Sequence, residues 1–588
     1  MSDVDIVVPA YVGGQPQFPV ADTVFTNIFI TATARAGTPS TPSPASPSGS
    51  TSCRSRGRGP ARGSGTFINR ESAEWSSRHP APQHRRSHIA TPKTFAVLPR
   101  VTVVPELMTA ALGRRPTMGE FVGNRAVVLG GGMAGLLTAR VLSESYEDVV
   151  IVDRDTLSGA EGPRRGVPHG RHAHGLLARG QQILEELFPG LERELVGHGV
   201  PSGDLAGDIR WYFEGRPFAP ARSGLLSVSA TRPELEAHLR ARVLRIPNVT
   251  LWERWSVDRL DFTHHQVTGV WVTSTDGNQK LLSADLVVDA TGRGSRTPAW
   301  LEEHGYERPE EEKVKVDLQY TTRIFRLDTD PYGTDLSINP LATPTNPRGA
   351  FFPKLSDGTS LLSLTGMIGD YPPTDLPGFL EFAKTVGAPE IYDSVKNAEP
   401  VDDAATFRFP ASTRRRYERL RRFPAGLLVL GDGVCSFNPV YGQGMTVAAM
   451  EAHALRQHIR DVGTPQALRF YHDISSIVDV PWDISAGADL GFPGVAGRRS
   501  LKTRIGNVYM PRLQAAAHDD PRLTEAFFRV AGLIDPPQTL TKPGVVMRVL
   551  RNKKVNTVST RREGAATPAS AYRRDQAAPP SSPGDRAA

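Results

Sequence analysis

Glycines at positions 130, 132 and 135 stand in the spacing Gly-x-Gly-x-x-Gly, directly after the apolar run 126–129. That spacing suits the handling of a dinucleotide. Gly130 permits a tight turn, Gly132 lets backbone N–H groups approach a pyrophosphate, and Gly135 lets the following helix pack close to the strand. Met133 and Ala134 open that helix, whose unpaired N–H groups and dipole favour negative charge. Asp153 closes the next apolar run, 148–152, where it can accept hydrogen bonds from two ribose hydroxyls, and Arg154 follows it. An acid at that place disfavours a 2′-phosphate and so argues against NADP in this particular site.

A second chemistry-bearing segment lies roughly three hundred residues further on. The apolar run 427–430 ends in Gly431-Asp432-Gly433, and Pro439-Val440-Tyr441-Gly442-Gln443-Gly444-Met445 follows. Asp432 is placed to hydrogen-bond a polyol hydroxyl, although the same residue also suits a plain helix cap. Gly442 and Gly444 open a path for backbone N–H groups toward a ring system. A helix starting near Gly444 would aim its positive end at the edge of that ring where charge develops on reduction. The first segment alone fits many nucleotide enzymes; paired with the second it points to FAD. Pro439, Gly442, Gly444 and Met445 are then the residues expected beside the reactive ring. No acid–base pair announces a catalytic side chain, as expected where the cofactor carries the hard chemistry.

These residues, together with Gly170-Arg171-His172-Ala173-His174, Asp289-Ala290-Thr291-Gly292-Arg293-Gly294-Ser295 and Phe437-Asn438, resemble the FAD-dependent mono-oxygenase superfamily. Within it they are most similar to the squalene-epoxidase-like branch that includes bacterial polyether-antibiotic epoxidases. The resemblance spans about residues 122–555 and also takes in Arg414-Arg415-Arg416-Tyr417-Glu418 and Leu490-Gly491-Phe492-Pro493-Gly494. It implies an α/β fold in which a Rossmann-like FAD-binding domain is interleaved with a β-rich substrate domain and followed by a helical C-terminal part. It also implies O2 and a small apolar organic molecule as partners, with NAD(P)H or a separate flavin reductase as electron source. Arg171 becomes a candidate for the phosphates or ribityl chain. Arg232 resembles a helix-opening arginine near the cofactor, but a solvated helix start fits it as well.

One departure bears on the chemistry. Many aromatic hydroxylases of the superfamily carry Gly-Ala-Asp-Gly after the corresponding strand; this chain has Asp289-Ala290-Thr291-Gly292, its acid displaced toward the strand. That disfavours simple phenol hydroxylation and leaves direct reduction by NAD(P)H open. No Trp-x-Trp-x-Ile-Pro segment occurs around any of the seven tryptophans, which disfavours tryptophan-halogenase character. Alternatives to oxygen insertion are a reductase of the geranylgeranyl-reductase type and a non-catalytic flavin-binding protein.

Other constellations carry less. His172-x-His174 lacks the Cys or carboxylate partners of a zinc site, so no metal is expected, and the two histidines fit either a surface loop or an active-site role. Arg414–Arg416 reads as a solvated basic run. Cys435 reads as a small buried residue. Tyr320, Phe325, Phe351 and Phe352 are candidates for an apolar pocket or for core.

The elements that must hold these residues follow from periodicity. Runs 126–129, 148–152 and 284–288 read as buried strands, 133–143 as a helix, and residues 170–200 as helical. Thr231-Arg232-Pro233-Glu234 is a helix-start signature. The expected division is an extension 1–117, an FAD-binding part 118–315, a β-rich substrate domain 316–425, an FAD-binding return 426–463, a helical region 464–559 and a tail 560–588. Breaks are expected in the helical region at Pro481, Pro493, Pro511 and Pro536-Pro537.

The chain has 588 residues and a net charge of +7, but the first 117 residues hold 13 Lys/Arg against 6 Asp/Glu and residues 561–588 hold 5 against 3. The remainder is therefore slightly acidic, at −2, which excludes a basic nucleic-acid-binding face on the body. The extension and the tail, rich in Pro, Ser and Arg or Ala, read as disordered. Met118 is a plausible translation start; a basic tail for an acidic partner is the other reading. Two cysteines and an acidic N-terminus suit the cytoplasm rather than export. No run reaches the length of a membrane span, though a lipid-like substrate would permit peripheral contact through the C-terminal helices. Oligomeric state stays open.

Overall fold

The structure, a computed structural model, describes residues 121–552. The expected extension and tail lie outside the described residues. Strand β1 (Gly123–Leu129) leads through the glycine turn into helix α1 (Met133–Leu142), and the chain returns in β2 (Tyr146–Asp153). Helices α2 (Ala178–Leu187) and α3 (Arg232–Val243) follow, then strands β3 (Val249–Glu253) and β4 (Leu286–Asp289). The chain next builds the long strands β5 (Glu311–Arg326), β6 (Ser360–Met367) and β7 (Ala405–Arg415). It comes back in β8 (Leu427–Val429), enters α4 (Gln443–Val462), and continues in α5 (Ala467–Asp489) and α6 (Leu501–Ala517).

Strands β8, β4, β1, β2 and β3 form one parallel sheet in that order. Parallel strands are buried on both faces, which is why they read as unbroken apolar runs. Alternate residues separate cleanly. Ala126, Val128, Val149 and Ile151 pack with the helices, whereas Val127, Leu129, Val150 and Val152 pack with an antiparallel meander spanning Trp255–Thr263, Gln266–Ser274 and Gln279–Ser283. A fully buried valine or leucine of this kind contributes about 1.5–3 kcal/mol.

The second large sheet is nine-stranded and centred on β5, with β6 and β7 antiparallel on either side. It starts at Glu311, upstream of the expected boundary at 316, and recruits Arg210–Phe213 and Arg216–Pro217 from the earlier part of the chain. Its edge is closed by Cys435–Ser436, hydrogen-bonded to β7 just beyond the Asp432 turn. The two sheets are thus tied together at the place where the chain returns.

Several expectations need correction. Residues 172–177 are not helical: a 3-10 turn at Pro168–Arg171 gives way to irregular chain before α2. Neither Pro481 nor Pro511 interrupts its helix; α5 and α6 run through both. An interior proline costs about 3 kcal/mol in a lone helix, but α5 buries Phe470, Tyr471, Ile474, Val478 and Trp482, and that packing prevails. Arg414–Arg416 is not a solvated run. Arg414 is 1 % exposed and paired with Asp479, Arg415 donates to Glu311 at 3.0 Å, and Arg416 binds Glu312 at 2.5 Å. The three arginines join β7 to β5 and α5. Among the described residues no helix is long and apolar enough to cross a membrane.

Candidate functional site

A cavity of about 520 Å³ runs from the first glycine turn to the Pro439 loop. At its first end Gly130 has φ +97°, and a Cβ there would lie 2.8 Å from the Ala290 carbonyl oxygen, so only glycine fits without strain. Gly131 N–H donates to Asp153 Oδ2 at 2.6 Å, which fixes the turn to the end of β2. Gly132 caps α1 without any side-chain bond, so the first N–H groups of α1 have no capping side chain. Gly135 does not reach the cavity. A Cβ on it would fall 1.8 Å from the Gly130 carbonyl oxygen, and its part is close packing of helix on strand.

Charges gather at this end, of which the sequence singled out only Arg232. Arg164 pairs with Asp155 at 3.1 Å and with Glu236 at 3.3 Å; Arg232, opening α3, pairs with Glu236 at 2.9 Å. The start of α3 is fixed by Thr231 and Glu234, which bond each other's backbone N–H groups in a capping box. Burial works against the Glu236 charge, but Arg232 and Arg164 outweigh it and hold the carboxyl below the usual range. Both arginines line the cavity, so Arg232 sits in the cleft rather than in solvent. Arg154 is exposed on the rim of the cavity, while Arg171 is exposed and outside its lining.

Asp289 accepts from Thr291 N–H at 2.9 Å and from the hydroxyls of Thr291, Ser295 and Thr297 at 2.5–2.6 Å, and it is wholly buried. Its lone pairs are spent on bracing the turn at residues 291–297. This gives a physical meaning to the displaced acid.

At the far end Asp432 lines the cavity beside Pro439, Gly442, Gly444 and Met445. Among the described residues no hydrogen bond reaches its carboxylate. Burial raises its pKa, against the opposing fields of Arg232, Arg293 and Arg415. Gly442, at φ +66°, caps α4 in the left-handed region. The loop before it is held from below: Asp489 Oδ1, at the end of α5, accepts from Asn438 Nδ2 at 2.8 Å and from Tyr441 OH at 2.9 Å. Glu451, one helix over, accepts from Gly431 N–H at 2.5 Å.

The remaining wall comes from the antiparallel sheet and from residues 168–175. Tyr320, Phe407, Phe409 and Phe437 line it, and the Arg293 guanidinium lies 5.2 Å from the Phe409 ring. Phe325 and Phe352 do not contribute; they sit in a separate core with Phe379 and Phe382. His169, His172 and His174 line the same wall, so the surface-loop reading of His172 and His174 falls away. Burial is the main cause that lowers their pKa values to about 2, 4 and 3, leaving all three neutral at physiological pH. No group of metal-binding side chains occurs among the described residues. Cys435 is buried and unpaired.

The residues present fit FAD. A glycine cradle that a Cβ would fill lies at one end; at the other stand an unbonded carboxylate and a left-handed glycine at a helix start. Fold and cleft together define a flavoprotein oxidoreductase. The family model described as "FAD binding domain" matches residues 123–476, and the chain belongs to that family. Protein Rv3254 of Mycobacterium tuberculosis (strain ATCC 25618 / H37Rv) is 33 % identical over 432 residues, covering 70 % of this chain and 91 % of that one. Among solved structures, the flavin-dependent brominase Bmp2 is similar at TM-score 0.52 and 15 % identity, over 75 % of this chain and 100 % of that one. The p-nitrophenol 4-monooxygenase PnpA from Pseudomonas putida DLL-E4 is similar at TM-score 0.51 and 14 % identity, over 71 % and 99 %. Similarity to the two structures speaks to fold alone. The protein is an FAD-dependent oxidoreductase.

Proposed function

We propose that this protein is an FAD-dependent mono-oxygenase that transfers one atom of O2 to an apolar, electron-rich organic substrate, with an alkene and epoxidation as the first choice. When bound, FAD supplies the electrons and the activation of O2; the chain's own residues bind, orient and keep water out. The turn at residues 130–132 and the start of α1 hold the diphosphate, Asp153 the adenosine ribose, and Asp432 the ribityl chain. Gly442, Gly444 and Met445 face the ring, and Pro439 closes the loop beside it.

The observation that carries this reading is the chemistry of the ring-side wall. Tyr320, Phe407, Phe409 and Phe437 give it an aromatic surface, and its three histidines are neutral. Such a wall offers only weakly basic imidazoles for activating a phenol or a water, and it suits a substrate that needs only to be positioned in a dry pocket. The names of two proteins of similar fold, a p-nitrophenol 4-monooxygenase and a flavin-dependent brominase, are consistent with flavin-dependent chemistry in this cleft. Because Asp289 is spent on its own turn, electrons from NAD(P)H or from a partner flavin reductase are both compatible with the site.

The test uses the full chain loaded with FAD, 18O-labelled O2, and either NADPH or a flavin reductase with NADH, on a panel of apolar alkenes. The expected product carries one 18O atom. A product that gains two hydrogens and no label would instead establish a reductase.

A further inference from the structure

His172 has one ring nitrogen committed and one free. Its Nδ1 lies 2.7 Å from Thr322 Oγ1 on β5, and Thr322 Oγ1 lies 2.6 Å from Ser363 Oγ on β6. Thr322 and Ser363 are direct cross-strand partners, so both side chains stand on the same face of the sheet. Ser363 Oγ in turn accepts from Ala173 N–H at 2.9 Å. His172 Nε2 is buried with no hydrogen-bond partner, on a residue only 3 % exposed that lines the cavity.

Three hydrogens share two hydrogen bonds, so the place where the third is left decides the tautomer. Ser363 and Thr322 each carry one hydroxyl hydrogen, and both residues are fully buried. With Ser363 donating to Thr322 and Thr322 donating to Nδ1, the hydrogen left over is Nε2–H, on a residue that lines the cavity, where water or a ligand can meet it. With the reverse order, His172 Nδ1–H fills Thr322, Thr322 fills Ser363, and the Ser363 hydrogen is left without an acceptor, at a cost of about 1–3 kcal/mol. The first arrangement prevails, and it puts the ring's one N–H at Nε2. A neutral donor is thereby locked in place by the sheet, in a wall otherwise made of Tyr320 and Phe407, whose rings lie 5.5 and 5.9 Å from the imidazole.

We propose that His172 Nε2–H binds an oxygen acceptor on the substrate, so that the preferred substrate class is an apolar, unsaturated molecule bearing one hydroxyl, ether or carbonyl oxygen. Thr322 acts through His172 as a positioning residue, setting which nitrogen carries the proton. A buried unpaired N–H costs free energy until an acceptor arrives, so hydrocarbons lacking that oxygen are discriminated against. The inference rests on reading this half of the cavity as the substrate side.

The test compares 2-naphthol with naphthalene, titrated into the FAD-loaded full chain and followed by perturbation of the flavin spectrum. In His172→Leu the ratio of the two dissociation constants, naphthol over naphthalene, is expected to rise about tenfold, the worth of one hydrogen bond. Thr322→Val is expected to raise the same ratio with naphthalene affinity unchanged, and His172→Gln, which keeps an N–H, to restore part of it. An unchanged ratio in both His172→Leu and Thr322→Val overturns the proposal, as does failure of the wild type to bind 2-naphthol saturably. If His172→Leu weakens FAD itself while the ratio stays fixed, the N–H serves a flavin carbonyl and the substrate assignment is wrong. FAD content and 18O incorporation are read on the same preparations, so a failure of the mono-oxygenase reading is seen separately.

Discussion

Gly130 cannot accept a side chain, because its backbone is left-handed and the Ala290 carbonyl oxygen would stand 2.8 Å from a Cβ. Gly130→Ala should therefore shift the turn that presents the first N–H groups of α1. The expected outcome is a folded protein that loses FAD on gel filtration, checked by flavin content together with circular dichroism; retention of a full complement would show that the turn does not hold the diphosphate. Residues of this kind were legible in the sequence because their constraint is local: a strand, a turn and a helix start impose glycine at fixed spacing. Asp432 was legible for the same reason. His172, Arg164 and Glu236 were not, since each takes its meaning from a distant partner. Arg164 meets Glu236 72 positions away and His172 meets Thr322 150 away. Arg414–Arg416 misled because a run of charges says nothing about the acids that will face it.

Helices α4 and α5 pass beneath the ring-side loop and support it with two buried carboxyls. Burial is the main cause that raises Glu451 from 4.5 to about 8 and Asp489 from 3.8 to about 7. A carboxyl with a raised folded-state pKa keeps a proton that the unfolded chain releases between the two values. Stability therefore falls as pH rises through that window, from 4.5 to about 8 for Glu451 and from 3.8 to about 7 for Asp489. Glu451→Gln leaves an acceptor for Gly431 N–H and removes the titration. Its Tm is expected to fall less than that of the wild type between about pH 5 and about pH 8. Parallel Tm curves would mean that Glu451 is not protonated in the fold. Local signals placed the starts of α3 and α4 closely in the sequence: the Thr231–Glu234 signature and the glycines at 442 and 444. Continuation through Pro481 could not be read there, because what carries α5 across the proline is packing against the sheets and not the local sequence.

At the scale of the whole molecule, two sheets of different construction share one cleft. The parallel sheet brings the Gly130 turn, Asp153 and Asp432 to its edge, because β1, β2 and β8 all end on the same side. The antiparallel sheet supplies Tyr320, Phe407 and Phe409, and the strand Cys435–Ser436 ties it to the returning chain. That interleaving was legible from the order of the motifs. The recruitment of Arg210–Phe213 into the second sheet was not, since a short strand with mixed residues carries no periodic signature.

The central claim is that one FAD spans this cleft, diphosphate at the Gly130 turn and ring at the Pro439–Met445 loop. The most direct measurement is the visible spectrum of the purified full chain, with the released flavin identified and counted per chain. The expected result is a yellow protein carrying one FAD; a colourless chain that also fails to take up added FAD would contradict the claim.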